Sequence, residues 1–292
     1  MKCGGGTNIK QPTVERVPGE FADAEAAENC SAGKGTLSTV AELIYEDLLM
    51  YSNYIFDFYG TLADIRTDEE NPFLWEKMSE IYSAMGACYS AAQLRERFRF
   101  LEQEESRRIG GEDAEPDLTK VFSLLYQDKS LPCSAELAKV TAITFRALSR
   151  EFIRVYDGVK ELLGELRARG KKVYLLSNAQ TDFTRPEIEM LGLTPYFDGI
   201  FISSEQGCKK PSPVFFERLL KCFELNPAES IMIGNDESAD IAGARRVGMD
   251  SLYIHTKISP KEYGKVQATY RVMDGDFRKI RDLVLRKVQD DI

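Results

Sequence analysis

Five short apolar runs, each closed by a polar or glycine-bearing turn, constrain this chain more than any other feature. They are Tyr54–Phe56, Val173–Leu176, Gly199–Ile202, Ser230–Ile233 and Ser251–Ile254. Each is too short for a helix and has the apolar density of a buried strand. Amphipathic stretches separate the later ones. Val159, Leu162, Leu163 and Leu166 fall at helical spacing and stop at Arg169-Gly170, a C-terminal cap signal. A helix is expected up to Gly192, another from Pro213 through Phe223, and another over Ala239 to Val247. Strand–helix alternation of this kind predicts an α/β fold with a parallel sheet and right-handed crossovers.

The first run is isolated from the rest. From about Pro72 to Phe152 the sequence has few strand-like runs and four helical patterns. Leu74-Trp75, Met78, Ile81-Tyr82 and Met85 mark the first, and Leu94, Phe98 and Leu101 the second. Leu118, Val121, Phe122 and Leu125 begin a third, and Leu137 to Phe152 reads as a fourth. Four helices suffice for a small bundle with its own core. The expected layout is therefore a sheet core over 50–66 and 155–292, with a helical domain over 67–154 inserted in it. Residues 1–49, rich in Gly, Pro and small polar types, read as a disordered extension with a possible short helix from Leu37 to Leu49. The tail from Asp274 to Val288 reads as an amphipathic surface helix.

Polar residues stand where the strands end. Asp57 follows Tyr54-Ile-Phe and precedes the turn Gly60-Thr61; Ser177-Asn178 closes the second run, and Gly234-Asn235-Asp236 the fourth. Lys210 stands at the head of a helix after a strand, in Lys209-Lys210-Pro211. Carboxyl ends of parallel strands share one edge, where open α/β sheets build their sites. Two carboxylates, an ammonium and a hydroxyl brought together there suit phosphoryl transfer: oxygen ligands for a cation, a positive charge for phosphate, a donor for a phosphoryl oxygen. The plainer reading makes Asp57 and Asp240 helix or turn caps, and Ser177 and Asn178 ordinary strand-end residues.

Composition excludes other classes. The net charge of -9 argues against a sequence-independent nucleic-acid binder. Cys3, Cys30, Cys88, Cys133, Cys208 and Cys222 are scattered without a C-x-x-C pair, the pattern of reduced cytosolic thiols. His255, the single histidine, lies at the end of an apolar run and reads as a strand-end residue rather than a base. No apolar stretch is long enough to span a bilayer, and the first residues lack the apolar core of a signal peptide. A cytoplasmic protein, monomer or homodimer, with no membrane partner is expected.

The four motifs, their order and the inserted helices resemble the haloacid dehalogenase (HAD) superfamily with an α-helical (C1-type) cap, over about Asn53 to Thr256. The resemblance implies a Rossmann-like parallel sheet core with an inserted four-helix cap domain. It implies Asp57 as nucleophile, and Mg²⁺ held by Asp57, the Tyr59 carbonyl and Asp236. It also implies Ser177 on the transferring phosphoryl group and Lys210 on the charged intermediate. Asp240 would bind magnesium-bound water or orient Lys210, and Thr61 and Asn178 would contact substrate. Asn235 competes with Asp236 for the first acidic position of the fourth motif.

One departure bears on function. Phosphatases of this superfamily usually carry a second Asp two residues after the nucleophile, as general acid and then base. This chain has Tyr59, a phenol of ordinary pKa about 10 and a poor base near neutrality. Asp-x-Tyr-Gly-Thr is also the pattern of 2-haloacid dehalogenases, which need neither Mg²⁺ nor a general acid. Those enzymes place Arg after the cap Trp and Tyr six residues beyond the motif Lys; here Trp75 is followed by Glu76, and Phe216 takes the second place. The favoured expectation is a Mg²⁺-dependent phosphatase acting on a small phosphorylated metabolite. A metal-independent 2-haloacid dehalogenase and a catalytically weak phosphometabolite sensor remain open.

Overall fold

The computed structural model describes residues 14–16, 51–261 and 266–280. The chain opens with β1 (Val14–Arg16), β2 (Asn53–Phe56) and β3 (Ala63–Thr67). Four helices follow: α1 (Pro72–Ala84), α2 (Ala91–Ile109), α3 (Leu118–Gln127) and α4 (Ala135–Ser149). Then come β4 (Arg150–Val155), α5 (Val159–Ala168), β5 (Lys172–Ser177), α6 (Thr181–Met190), β6 (Gly199–Ile202), a short α7 (Ser203–Gln206) and α8 (Pro213–Cys222). β7 (Ser230–Gly234), a π-helical turn (Glu237–Ile241) running into α9 (Ala242–Arg246), β8 (Asp250–Ile254) and β9 (Tyr270–Val272) complete it.

The main sheet has the order β1-β9-β8-β7-β2-β5-β6. All of its strand pairs are parallel except that of β1 with β9. β2 lies between β5 and β7, which places Asp57 at the middle of the carboxyl edge. Burial on both faces explains the unbroken apolar runs read from the sequence. Tyr54 and Phe56 pack on one face with Leu162 and Leu163 of α5, and Ile55 packs on the other with Phe215, Phe216 and Leu219 of α8. β5 and β7 alternate in the same way. Each such fully buried side chain contributes about 1.5–3 kcal/mol of burial free energy.

The inserted helices have a core of their own. Leu74, Trp75 and Met78 of α1, Phe98 of α2, Phe122 of α3 and Phe145 of α4 form it, with Trp75 and Phe98 ring centroids 5.4 Å apart. Local caps start these helices where the sequence suggests. Asn71 accepts from the Phe73 amide, and Ser90 and Gln93 form a capping box. Phe183 of α6 joins this cluster against Phe145, keying the helical domain to the sheet domain.

Three features differ from the sequence reading. The fourth of the inserted helices ends at Ser149, because Arg150–Val155 pairs antiparallel with Ala63–Thr67 as a two-stranded stalk. β9 is a further strand, too short to stand out as an apolar run. Val14–Arg16 pairs with it, so the 1–49 segment is not wholly without structure, and the helix expected from Leu37 to Leu49 lies outside the described residues. Residues 277–280 are helical, and the rest of the expected C-terminal helix lies outside the described residues.

Candidate active site

The loop after β2 is held from both sides. The Asp57 amide donates to the Ile233 carbonyl at 2.9 Å, continuing the β2–β7 ladder by one residue. The chain then turns back on Phe58, whose carbonyl accepts from Leu62 at 2.8 Å and Ala63 at 3.0 Å. Gly60 has φ +87°, and a Cβ there would collide with the Asn235 side chain, so the turn requires glycine twice over. Thr256 Oγ1 donates to the Gly60 carbonyl at 2.6 Å, tying the loop to the end of β8.

Asp57 meets Lys210 at this edge. Lys210 Nζ lies 2.6 Å from Asp57 Oδ1 and 2.7 Å from Asp240 Oδ1, and donates to the Leu176 carbonyl at 2.7 Å. Lys210 is 3% exposed. Burial alone would lower its pKa, but the Asp240 and Asp57 carboxylates outweigh that and raise it. Burial, with the Asp57 charge, pushes Asp240 up to about 7 against the pull of Lys210. Lys209, the competing lysine, instead lies 3.7 Å from Glu115. Thr61 Oγ1 reaches both Asp57 Oδ2, at 3.1 Å, and Asn235 Oδ1, at 3.2 Å.

Ser177 and Asn178 differ in what they leave available. The Ser177 hydroxyl is fully buried at the end of β5 and has no hydrogen-bond partner among the described residues. An unmet buried hydroxyl costs about 1–3 kcal/mol, which a bound acceptor would recover. The Asn178 amide is instead spent on the backbone of Lys210: Oδ1 accepts from its amide at 2.8 Å, and Nδ2 donates to its carbonyl at 3.0 Å. Asn178 thus fixes the lysine.

In the fourth motif Asp236 caps the π-helical turn. Its Oδ1 accepts from the Ser238 and Ala239 amides and from the Ser238 hydroxyl, at 2.7–3.1 Å. Its own amide donates to Asp240 Oδ2 at 3.0 Å. Asn235 is 4% exposed, with its side chain toward Thr61 and Ser259.

Tyr59 is turned to another task. Its phenol donates to Glu187 Oε2 at 2.6 Å and lies 3.0 Å from the Thr184 hydroxyl. Burial, reinforced by the Glu187 charge, raises its pKa well above the ordinary phenol value despite nearby Arg146. The phenol stays protonated and engaged with Glu187.

Asp57, Tyr59, Asn178, Lys210, Asn235, Asp236 and Asp240 line one cavity of ≈ 180 Å³, with Ile258 and Pro260 at its wall. Among the described residues no three His, Cys, Asp or Glu side chains are grouped as a metal cage. The oxygen groups lining it are the Asp57, Asp236 and Asp240 carboxylates and the Asn235 amide, with the Lys210 ammonium against them. Such hard oxygens suit a small divalent cation that keeps several waters and shares a phosphate, rather than one held by protein alone. Lys210, Asp57 and Asp240 thus come together, while Ser177 ends the neighbouring strand β5 and is not among the residues that line the cavity. Trp75 and Phe216 lie in the two cores, and His255 pairs with Tyr253 at 3.3 Å. Sequence reasoning missed Glu187, Arg146, Arg150 and Thr256, whose partners are remote in the chain and follow no local pattern.

The profile of haloacid dehalogenase-like hydrolases matches residues 51–248. The chain is 30% identical over 141 residues to the phosphoserine phosphatase of Thermus thermophilus, covering 46% of this chain and 55% of that protein. It is 26% identical over 167 residues to the glyceraldehyde 3-phosphate phosphatase of Pyrococcus furiosus, covering 57% and 65%. The chain thus spans less than two thirds of the length of these relatives. A crystal structure of a 2-haloacid dehalogenase from Pseudomonas syringae shares the fold, with a TM-score of 0.56 at 18% identity over 81% of this chain and 99% of that one.

Proposed function

The chain belongs to the haloacid dehalogenase-like hydrolases, and on that premise we propose that it is a magnesium-dependent phosphatase acting on a small phosphorylated metabolite. The observation that carries the reading is the buried Lys210 ammonium, 2.6 Å from Asp57 and 2.7 Å from Asp240 at the carboxyl edge of the sheet. An ammonium held dry and charged beside a carboxylate has a use where a phosphoryl group must sit against that carboxylate. The unpartnered Ser177 hydroxyl supports it as a donor to a phosphoryl oxygen. The phosphatases named among the relatives support the same class.

In the proposed reaction an Asp57 carboxylate oxygen attacks phosphorus, and the phosphorus–oxygen bond to the leaving group breaks with its electron pair on that oxygen. Lys210 and Ser177 stabilise the phosphoryl oxygens as charge develops there. Water then attacks phosphorus, the bond from phosphorus to the Asp57 oxygen breaks with its electron pair on the carboxylate, and the proton of the attacking water leaves on the released phosphate. Asp57, the Tyr59 carbonyl and Asp236 or Asn235 would hold Mg²⁺, which when bound neutralises phosphate charge. Tyr59 is committed to Glu187, so the leaving oxygen takes its proton from water or from the substrate. Turnover is then fastest on leaving groups of low pKa, such as aryl or acyl phosphates. The cytoplasmic setting and the monomer or homodimer belong to the same proposal.

Tyr59 also motivates a second reading, since a departing halide needs no proton. Glu76 beside Trp75 and the core position of Phe216 weigh against a haloacid carboxylate. A paired assay separates the two. Phosphate release from a panel of phosphometabolites and an aryl phosphate is followed with Mg²⁺ or EDTA, and halide release from 2-haloacids without metal. Phosphate release that needs Mg²⁺ and falls at least ~10³-fold in Asp57→Asn is expected. EDTA-resistant halide release would replace the proposal with the dehalogenase.

A further inference from the structure

Glu187 of α6 lies outside the four motifs, yet it is the most heavily engaged acid beside them. It is 2% exposed. Its Oε1 accepts from Arg146 Nε at 2.8 Å and Arg150 Nη1 at 2.7 Å; its Oε2 accepts from Arg146 Nη2 at 3.2 Å and the Tyr59 hydroxyl at 2.6 Å. The donors come from two places. Arg146 is near the end of α4, the last helix of the inserted domain, and Arg150 opens β4, the strand that returns the chain to the sheet. Tyr59 belongs to the loop that presents Asp57. Arg146 also lies over the Tyr59 ring, with its guanidinium carbon 5.2 Å from the ring centroid.

We infer that Glu187 is a positioning residue that couples the inserted helical domain to the nucleophile loop, with Tyr59 as the side chain it holds. A carboxylate buried with two guanidinium groups and a phenol favours one arrangement of all three, because any donor that leaves gives up a hydrogen bond to a charged acceptor. Moving α4 and β4 as the helical domain shifts therefore loads Glu187, and Glu187 passes that load to Tyr59. The Tyr59 backbone follows its pinned ring, and the turn Phe58–Ala63 follows the backbone through its own hydrogen bonds. The tyrosine at this position thus acts through its place in the network and not through its proton. Its consequence for turnover rests on the phosphatase reading; the coupling itself does not.

The test uses the full chain and cuts the link at each end. Tyr59→Phe removes one hydroxyl from the loop side. Arg150→Met removes the more exposed arginine from the other side and leaves the bidentate Arg146–Glu187 pair to maintain the fold. Hydrogen–deuterium exchange is read at the amides of residues 57–63. Each variant is expected to raise exchange there about tenfold, the fold-change of one lost hydrogen bond to a charged group, with melting temperature little changed. The double variant is expected to be no worse than the worse single one, because both cut the same path. Arg150→Lys, which keeps the charge, is expected to restore protection. If the wild type releases phosphate, kcat falls in both single variants while KM stays within about twofold. Unchanged exchange at 57–63 in Arg150→Met, or additive effects in the double variant, overturns the inference. Coupled exchange in a wild type that releases no phosphate upholds the coupling and removes the phosphatase reading.

Discussion

At the scale of residues, the site is organised by two buried charges, Lys210 and Glu187, each shared between several partners. Lys210 is legible in sequence because it stands beside a proline at the head of a helix, in a set of motifs with a known order. Glu187 is not, since nothing in Arg185-Pro186-Glu187-Ile188 marks it, and its partners lie 37 to 128 residues away. The network also changes how Tyr59 is understood. Sequence presents it as a missing acid; the structure gives its hydroxyl a definite partner. Burial alone would raise the Glu187 carboxyl, but the bonds from Arg146, Tyr59 and Arg150 outweigh it and hold it below the ordinary range. A depressed folded value means stability that is fully present above the unfolded value and is lost as pH falls through the folded one. Glu187→Gln should therefore cost about 3 kcal/mol near neutral pH, the scale of a broken buried ion pair. Urea unfolding should show the gap from wild type narrowing below about pH 4.5. A gap independent of pH would mean that the carboxylate charge contributes nothing.

At the scale of elements, the parallel strands and their helices were legible because both faces of the sheet are buried and the runs are apolar throughout. The stalk strands β3 and β4 were not. Each is exposed along part of its length, so neither forms an apolar run, and the start of β4 reads as the end of the preceding helix. The turn after β2 was legible from Gly60-Thr61, but its reason lies in tertiary contact. A side chain at Gly60 meets Asn235 in a backbone conformation that L-residues avoid. Gly60→Ala should then destabilise the protein by about 1–3 kcal/mol and displace Asn235 and Thr61 from Asp57. Thermal unfolding together with phosphate release measures both, and a variant of wild-type stability and turnover would contradict this account of the turn.

At the scale of the whole molecule, two cores meet through the Phe145–Phe183 stack and through polar contacts at two places. The stalk and the Glu187 network lie at one place. At another, Gln180 accepts from the Leu118 amide at 2.8 Å and donates to Glu115 and to the Pro116 carbonyl, each at 2.9 Å. Both attachments start from α6 or the residue before it, directly after Ser177-Asn178, so the helical domain is anchored to the segment that carries the free hydroxyl. Four helices were readable in sequence; these attachments were not, because each joins residues far apart in the chain. In the proposed reaction Asp57 carries the phosphoryl group during turnover. The most direct test is mass spectrometry of protein quenched in acid while it turns over the best phosphate substrate with Mg²⁺. The account predicts one phosphoryl group on the peptide containing Asp57, absent with EDTA and absent in Asp57→Asn. Sustained phosphate release with that peptide never modified, or a carbon ester on Asp57 formed from a haloacid without metal, would contradict it.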